Sequence, residues 1–198
     1  MAKQSPRPTT KTATAKIRFS AQLLRPKPDA NTPRATWTFL TLPKQAASKL
    51  PSRGMVSISG TFNTVPFTAT LQPDGNGGHW LKVDPKLSKR AAAAPGDEVS
   101  LEITPLTPDQ EPEPEVPADF RKALAAAPKS AQQAWKDITP VARRDWIQFM
   151  TSGKRAETRT LRIEKACDML ASGKRRPCCF DRSGMYDKSL SCPIADND

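Results

Sequence analysis

Residues 99–124 read VSLEITPLTPDQEPEPEVPADFRKAL, and the fold turns on how this stretch is divided. Val99, Leu101 and Ile103 alternate with polar residues, the period-two signature of a half-buried strand. The next residues, TPLTPDQEPEPEVP (104–117), hold five prolines among several acids. Such a segment cannot bury enough apolar surface to fold alone and reads as an extended, semi-rigid linker. After it, Phe120, Ala123, Leu124 and Ala127 fall on one face of a helix that ends at Pro128. The hydrophobic period therefore changes from two to 3.6 across this boundary. That change predicts two units of different class in one chain.

Upstream, five more segments carry the strand pattern: KIRFSAQLL (16–24), WTFLTL (37–42), MVSISG (55–60), VPFTATL (65–71) and HWLKV (79–83). Turn residues separate them, notably Pro73-Asp74-Gly75-Asn76-Gly77-Gly78 and Pro95-Gly96-Asp97. Six short strands predict a small closed β-barrel over 16–105, since closure removes exposed edges. Residues 43–50 and 86–94 read as short helical interruptions. Alternation places most of Trp37, Phe39, Phe62, Phe67 and Trp80 in the barrel core rather than on a base-stacking face.

Downstream, 118–173 reads as about four helices. Ala131, Ala134, Trp135 and Ile138 share a face. Thr139-Pro140 is an N-cap followed by proline at the first helical position. On the helix it starts, Val141, Ala142, Trp146, Phe149 and Met150 are apolar, and Asp145 is the polar intruder. A last helix from about Arg155 carries Leu161, Ala166, Met169 and Leu170 and stops at Gly173, a natural C′ residue. The expected organisation is α+β. It comprises a disordered basic tail (1–15), the six-stranded barrel (16–105), the Pro/Glu-rich linker (106–117), the helical domain (118–173) and an irregular C-terminal tail (174–198). Phe180 and Tyr186 are the expected docking points of that last tail.

Of the 198 residues, 37% are hydrophobic, 20 are proline and the net charge is +11. That composition supports a modest core and no membrane-spanning run. The charge excess sits in residues 1–110, with 15 Lys/Arg against 7 Asp/Glu. It attracts anionic partners, non-specific nucleic acid among them, without naming one. The N-terminus lacks an apolar signal core, so a cytoplasmic, reduced protein is expected. Cys167, Cys178, Cys179 and Cys192 lack zinc-site spacing, and the only histidine, His79, is remote. Cys178-Cys179 follows Lys174, Arg175 and Arg176, positive neighbours that favour thiolate. That basic run reads as a solvated segment, with nucleic-acid contact as the sharper alternative. No P-loop, dinucleotide fingerprint, nucleophile elbow or HExxH motif occurs.

Several motifs carry a family resemblance. The N-terminal half resembles a small bacterial β-barrel domain of unknown function. The matching residues are Trp37, Phe39, Leu42-Pro43, Val56 to Thr61, Pro66-Phe67, Leu81-Lys82-Val83 and Pro95-Gly96-Asp97-x-Val99. The C-terminal half resembles the YdeI/OmpD-associated, or bacteriocin-protection, helical domain. That likeness rests on Val116-Pro117-x-Asp119-Phe120, Ala123-Leu124, Trp135 and Thr139-Pro140-x-x-Arg143-Arg144. It rests most of all on Lys154-x-x-Glu157-Thr158-Arg159-x-x-Arg162-Ile163; Ser152-Gly153 stands where the family usually has Ala before the lysine. The resemblance implies a link to tolerance of bacteriocins or cationic antimicrobial peptides and to envelope stress, with a porin partner in one branch. It implies no established catalytic activity.

Two function classes follow: a non-enzymatic binding or stress-protection module acting on a protein or anionic ligand, or a binder of nucleic acid or anionic polymer. We assign no catalytic residue, metal or cofactor. The candidate site is Lys154, Arg155, Glu157, Thr158, Arg159 and Arg162. Arg159 and Arg162, three apart, share a helix face and could clamp an anion, while Lys154 and Arg155 sit near the helix N-terminus. The competing reading is internal: Glu157 or Asp145 satisfies those arginines and fixes helix packing.

Overall fold

The computed structural model describes residues 16–28, 35–153, 155–178, 180–186 and 190–196. The N-terminal tail, Lys154 and Cys179 lie outside them. Six strands form the first unit: β1 (Ile17–Gln22), β2 (Thr38–Thr41), β3 (Val56–Phe62), β4 (Val65–Pro73), β5 (His79–Val83) and β6 (Glu98–Pro105). All neighbours are antiparallel, in the order β1-β6-β3-β4-β5-β2. The sheet nearly closes on itself. Leu24, just past β1, exchanges two backbone hydrogen bonds with Phe39 of β2, at 2.7 and 2.9 Å.

Local chemistry fixes the register. Phe62 pairs with Val65 across a tight turn at Asn63, whose φ of 52° suits asparagine. The side-chain oxygen of Asp74 accepts from the N–H groups of Asn76 and Gly78 and shapes the β4–β5 hairpin. Where β3 crosses β6, only glycine fits. A Cβ on Gly60 would stand 2.0 Å from the Glu102 carbonyl oxygen.

Ile17, Leu40, Leu42, Ile58, Phe62, Leu71, Leu81 and Ile103 are among the residues that fill the barrel. Strands β2 and β5 depart from the expected half-burial. Leu40 and Leu81 enter the barrel core, while Phe39 and Trp80, one residue earlier on their strands, are also buried. Phe39 and Trp80 pack with Trp37 in a separate aromatic cluster, centroids 6.2–6.4 Å apart, with the Lys82 ammonium over Trp37. Of the aromatics assigned to the core, Phe62 is there, Phe67 packs on it, and the other three sit on the opposite face of the sheet.

Two short helices decorate the barrel, α1 (Lys44–Ala47) and α2 (Pro85–Arg90); Asp84 caps the second. The C-terminal region holds four: α3 (Ala118–Ala126), α4 (Lys129–Asp137), α5 (Pro140–Thr151) and α6 (Ala156–Ala171). Prolines precede α3 and α4, and Thr139 caps α5 through the Ala142 N–H. Gly173, at φ 80°, closes α6: its N–H reaches Leu170 and that of Lys174 reaches Met169. Phe120, Trp135, Trp146, Met150, Ile163 and Leu170 lie in the helical core, with Phe120 edge-on to Trp135 at 4.9 Å. Leu161, one of the apolar residues read on this helix, is 56% exposed, while Ile163 points inward. The segment after Gly173 turns back along the barrel, with Ala195 bridging to Pro26. Phe180 docks on Phe149 at 5.7 Å. Tyr186 does not dock: it is 88% exposed, and among the described residues only its backbone is tied, to Asp181.

Candidate functional site

Thr139-Pro140 fixes where α5 begins, and that start sets which side chains face the barrel. Val141, Arg144 and Asp145, at i, i+3 and i+4, share one side of the helix. Opposite them lie the Pro51–Ser57 segment leading into β3 and the Pro105–Pro108 segment leaving β6. Glu111 and Arg182 complete the walls. Together these residues enclose a cleft of about 380 Å³ between the barrel and the helices.

The cleft is organised around a buried ion pair. Arg144 Nη1 pairs with Glu111 and donates to the Ser57 hydroxyl at 2.7 Å, and its Nη2 donates to the Met55 carbonyl at 3.0 Å. The Ser57 hydroxyl in turn donates to Glu111 at 2.8 Å. The two charged side chains are only 12% and 5% exposed. In so dry a setting each charge needs the other, because removing one strands a buried ion. The acidic connector is thereby pinned at Glu111, and helix α5 is tied to strand β3.

A second cluster lies one residue on. Asp145 is 5% exposed, and its Oδ2 pairs with Arg176 and, at 3.2 Å, with Arg182. Both arginines come from the segment after α6. The polar intruder on an apolar helix face is thus the anchor of the C-terminal segment. His79 supports the cleft from behind. It is buried, and its Nε2 hydrogen-bonds the carbonyl of Gly54, a wall residue, at 2.9 Å. Burial pushes its pKa below the ordinary histidine value, opposed by the Gly54 hydrogen bond.

The described residues singled out from sequence do not converge on one site. Arg159 forms a two-point pair with Asp119 of α3, at 2.6 and 3.0 Å. Arg162 donates to the Phe149 carbonyl at 2.9 Å and to the Ser152 hydroxyl, and stacks on the Phe149 ring. The two guanidinium groups therefore do not form one clamp. Their partners are Asp119 and the end of α5, neither Glu157 nor Asp145. The Arg159 pair holds the Asp119 carboxyl below its usual range and raises Arg159. Arg155 precedes α6, Glu157 occupies its first turn, and Thr158 packs near Gly153; Lys154 lies outside the described residues. The Lys174-Arg175-Arg176 run is more than solvated tail: Arg175 donates to the Asp137 carbonyl at 3.0 Å, and Arg176 holds Asp145. Burial raises the thiols of Cys167 and Cys192, the latter to about 11. Among the described residues no three His, Cys, Asp or Glu side chains converge as metal ligands would.

Arg144 entered from sequence only as part of the family motif and not as a site residue, and Glu111 and Arg182 were not singled out at all. Arg144 had a visible signal, since it follows the α5 cap by a fixed interval. Glu111 had none to set it apart from Glu113 and Glu115.

Residues 113–173 match the family model described as Bacteriocin-protection, YdeI or OmpD-Associated. The helical region is thus similar to the YdeI/OmpD-associated domain. The barrel, residues 19–103, matches a Domain of unknown function (DUF1905). No curated protein matches the chain. The family match spans α3 to α6 and includes Arg144 and Asp145, while Glu111 lies between the two matched regions. The cleft is thus a junction that neither matched region builds alone.

Proposed function

We propose that this protein is a non-enzymatic binding protein of the protective kind, and that it holds its ligand in the cleft between barrel and helices. The observation that carries this reading is the cleft itself: a half-open hollow built by both halves, lined by apolar residues and a few converging polar groups. Its lining charges are engaged in ion pairs, and Ser57 is buried between two of them. That is an arrangement for holding a molecule in place rather than for moving protons. The family's tie to bacteriocin protection supports a role in tolerance. Direct capture of a cationic peptide is disfavoured, because the protein itself carries +11. Protection would then run through another ligand. Among the described residues no helix is long and apolar enough to cross a membrane.

The test is expression in a bacteriocin-sensitive bacterium, comparing wild type with Val141→Trp. Val141 is a half-buried wall residue early in α5, so a tryptophan there fills the cleft while leaving the Thr139 cap in place. Wild type should raise the inhibitory dose several-fold, and the folded variant should not. No protection by wild type would remove the protective reading. Equal protection by the variant would remove the cleft from it.

A further inference from the structure

Resting on that binding reading and deepening it, we infer that the cleft takes a small molecule with an apolar body and one carboxylate, and that Arg182 recognises the carboxylate. The volume of about 380 Å³ suits a small molecule. Pro51, Met55, Val56, Leu106 and Val141 supply an apolar wall. The charges then select the head group. Glu111 and Arg144 cancel one another. Asp145 does not balance its neighbours, because one carboxylate oxygen serves both Arg176 and Arg182. Around Asp145, two arginines thus share one carboxylate beside an apolar cavity.

Arg182 is the arginine placed to meet a ligand. It lines the cavity, whereas Arg176 does not. It makes the longer of the two contacts, at 3.2 Å, and its side chain is 52% exposed. A guanidinium has five N–H donors, and the structure gives the side chain of Arg182 one acceptor, Asp145. Its planar fork matches the two oxygens of a carboxylate. If Arg182 turns toward a ligand, Arg176 still covers Asp145, so no buried carboxylate is stranded. An ammonium group would be repelled by the guanidinium, and a neutral amide would bring it no opposite charge.

The test is titration of nitrogen-15-labelled full-length protein with octanoate and 2-naphthoate, each beside its primary amide and its amine. The carboxylates should shift the amide signals of Met55 to Ser57, Leu106, Thr107 and Val141. They should bind about tenfold or more tightly than the amides. Arg182→Gln should lower carboxylate affinity to that of the amide, and Arg182→Lys should keep part of the preference. Unshifted signals from Arg176 and Gly184 show that the C-terminal segment stays docked in either variant. Amides that bind the cleft as tightly as carboxylates would overturn the carboxylate assignment, as would a preference surviving in Arg182→Gln. Both results would leave the cleft as a binding site. No shift at the cleft with any of these compounds would overturn the binding reading as well.

Discussion

Arg144 and Glu111 show how one buried pair decides a junction. Arg144→Met leaves Glu111 dry and uncompensated, with the Ser57 hydroxyl as its remaining donor. The expected cost is about 3–5 kcal/mol, read as a lower urea midpoint. Pairing it with Glu111→Leu should recover most of that loss, because an apolar pair of similar volume replaces a buried ion pair at little cost. Equal destabilisation by the single and double variants would show that the charges are not coupled. His79 makes a pH prediction. Burial lowers its pKa in the folded chain, so the unfolded chain binds that proton more readily. Its contribution to stability is complete above the unfolded value of about 6.5 and is lost as pH falls toward the folded one. Unfolding midpoints should drop between about pH 7.5 and 5.5. His79→Gln, which keeps a donor for the Gly54 carbonyl, should flatten that slope; an unchanged slope would assign it to other groups.

At the level of elements, the sequence was most legible where one face is wet. The six strands, the cap at Thr139 and the stop at Gly173 all follow from local pattern. Strands β2 and β5 escaped a one-sided reading because both of their faces are buried, so Phe39 and Leu40 look alike in sequence while packing into different clusters. Leu161 is the opposite case: an apolar residue on α6 lies exposed. Arg159 and Arg162 share a helix face, but spacing along one helix says nothing of what the next helix offers. Asp119 and the end of α5 came from elsewhere in the chain. Gly60 carries the sharpest prediction at this scale. A Cβ there would meet backbone atoms of β6 at 2.0 and 2.9 Å, and backbone gives way poorly. Gly60→Ala should cost about 1–3 kcal/mol or more by thermal or urea unfolding. A neutral result would mean that β3 and β6 are farther apart than described.

For the whole molecule, the features that build the cleft were the least legible. The cleft exists because the acidic connector, the start of α5 and a returning C-terminal segment meet on the barrel's flank. No window of sequence contains all of them. Glu111, Arg144 and Arg182 lie 33 and 38 residues apart in the chain, and only folding brings them to one wall. Holding a ligand in this cleft is the function proposed. Its most direct test is mass spectrometry, under non-denaturing conditions, of wild type and Val141→Trp gently purified from the cells that make them. The expected result is a small bound anion on wild type that is missing from the folded variant. Wild type carrying nothing, or the variant carrying the same molecule, would contradict it.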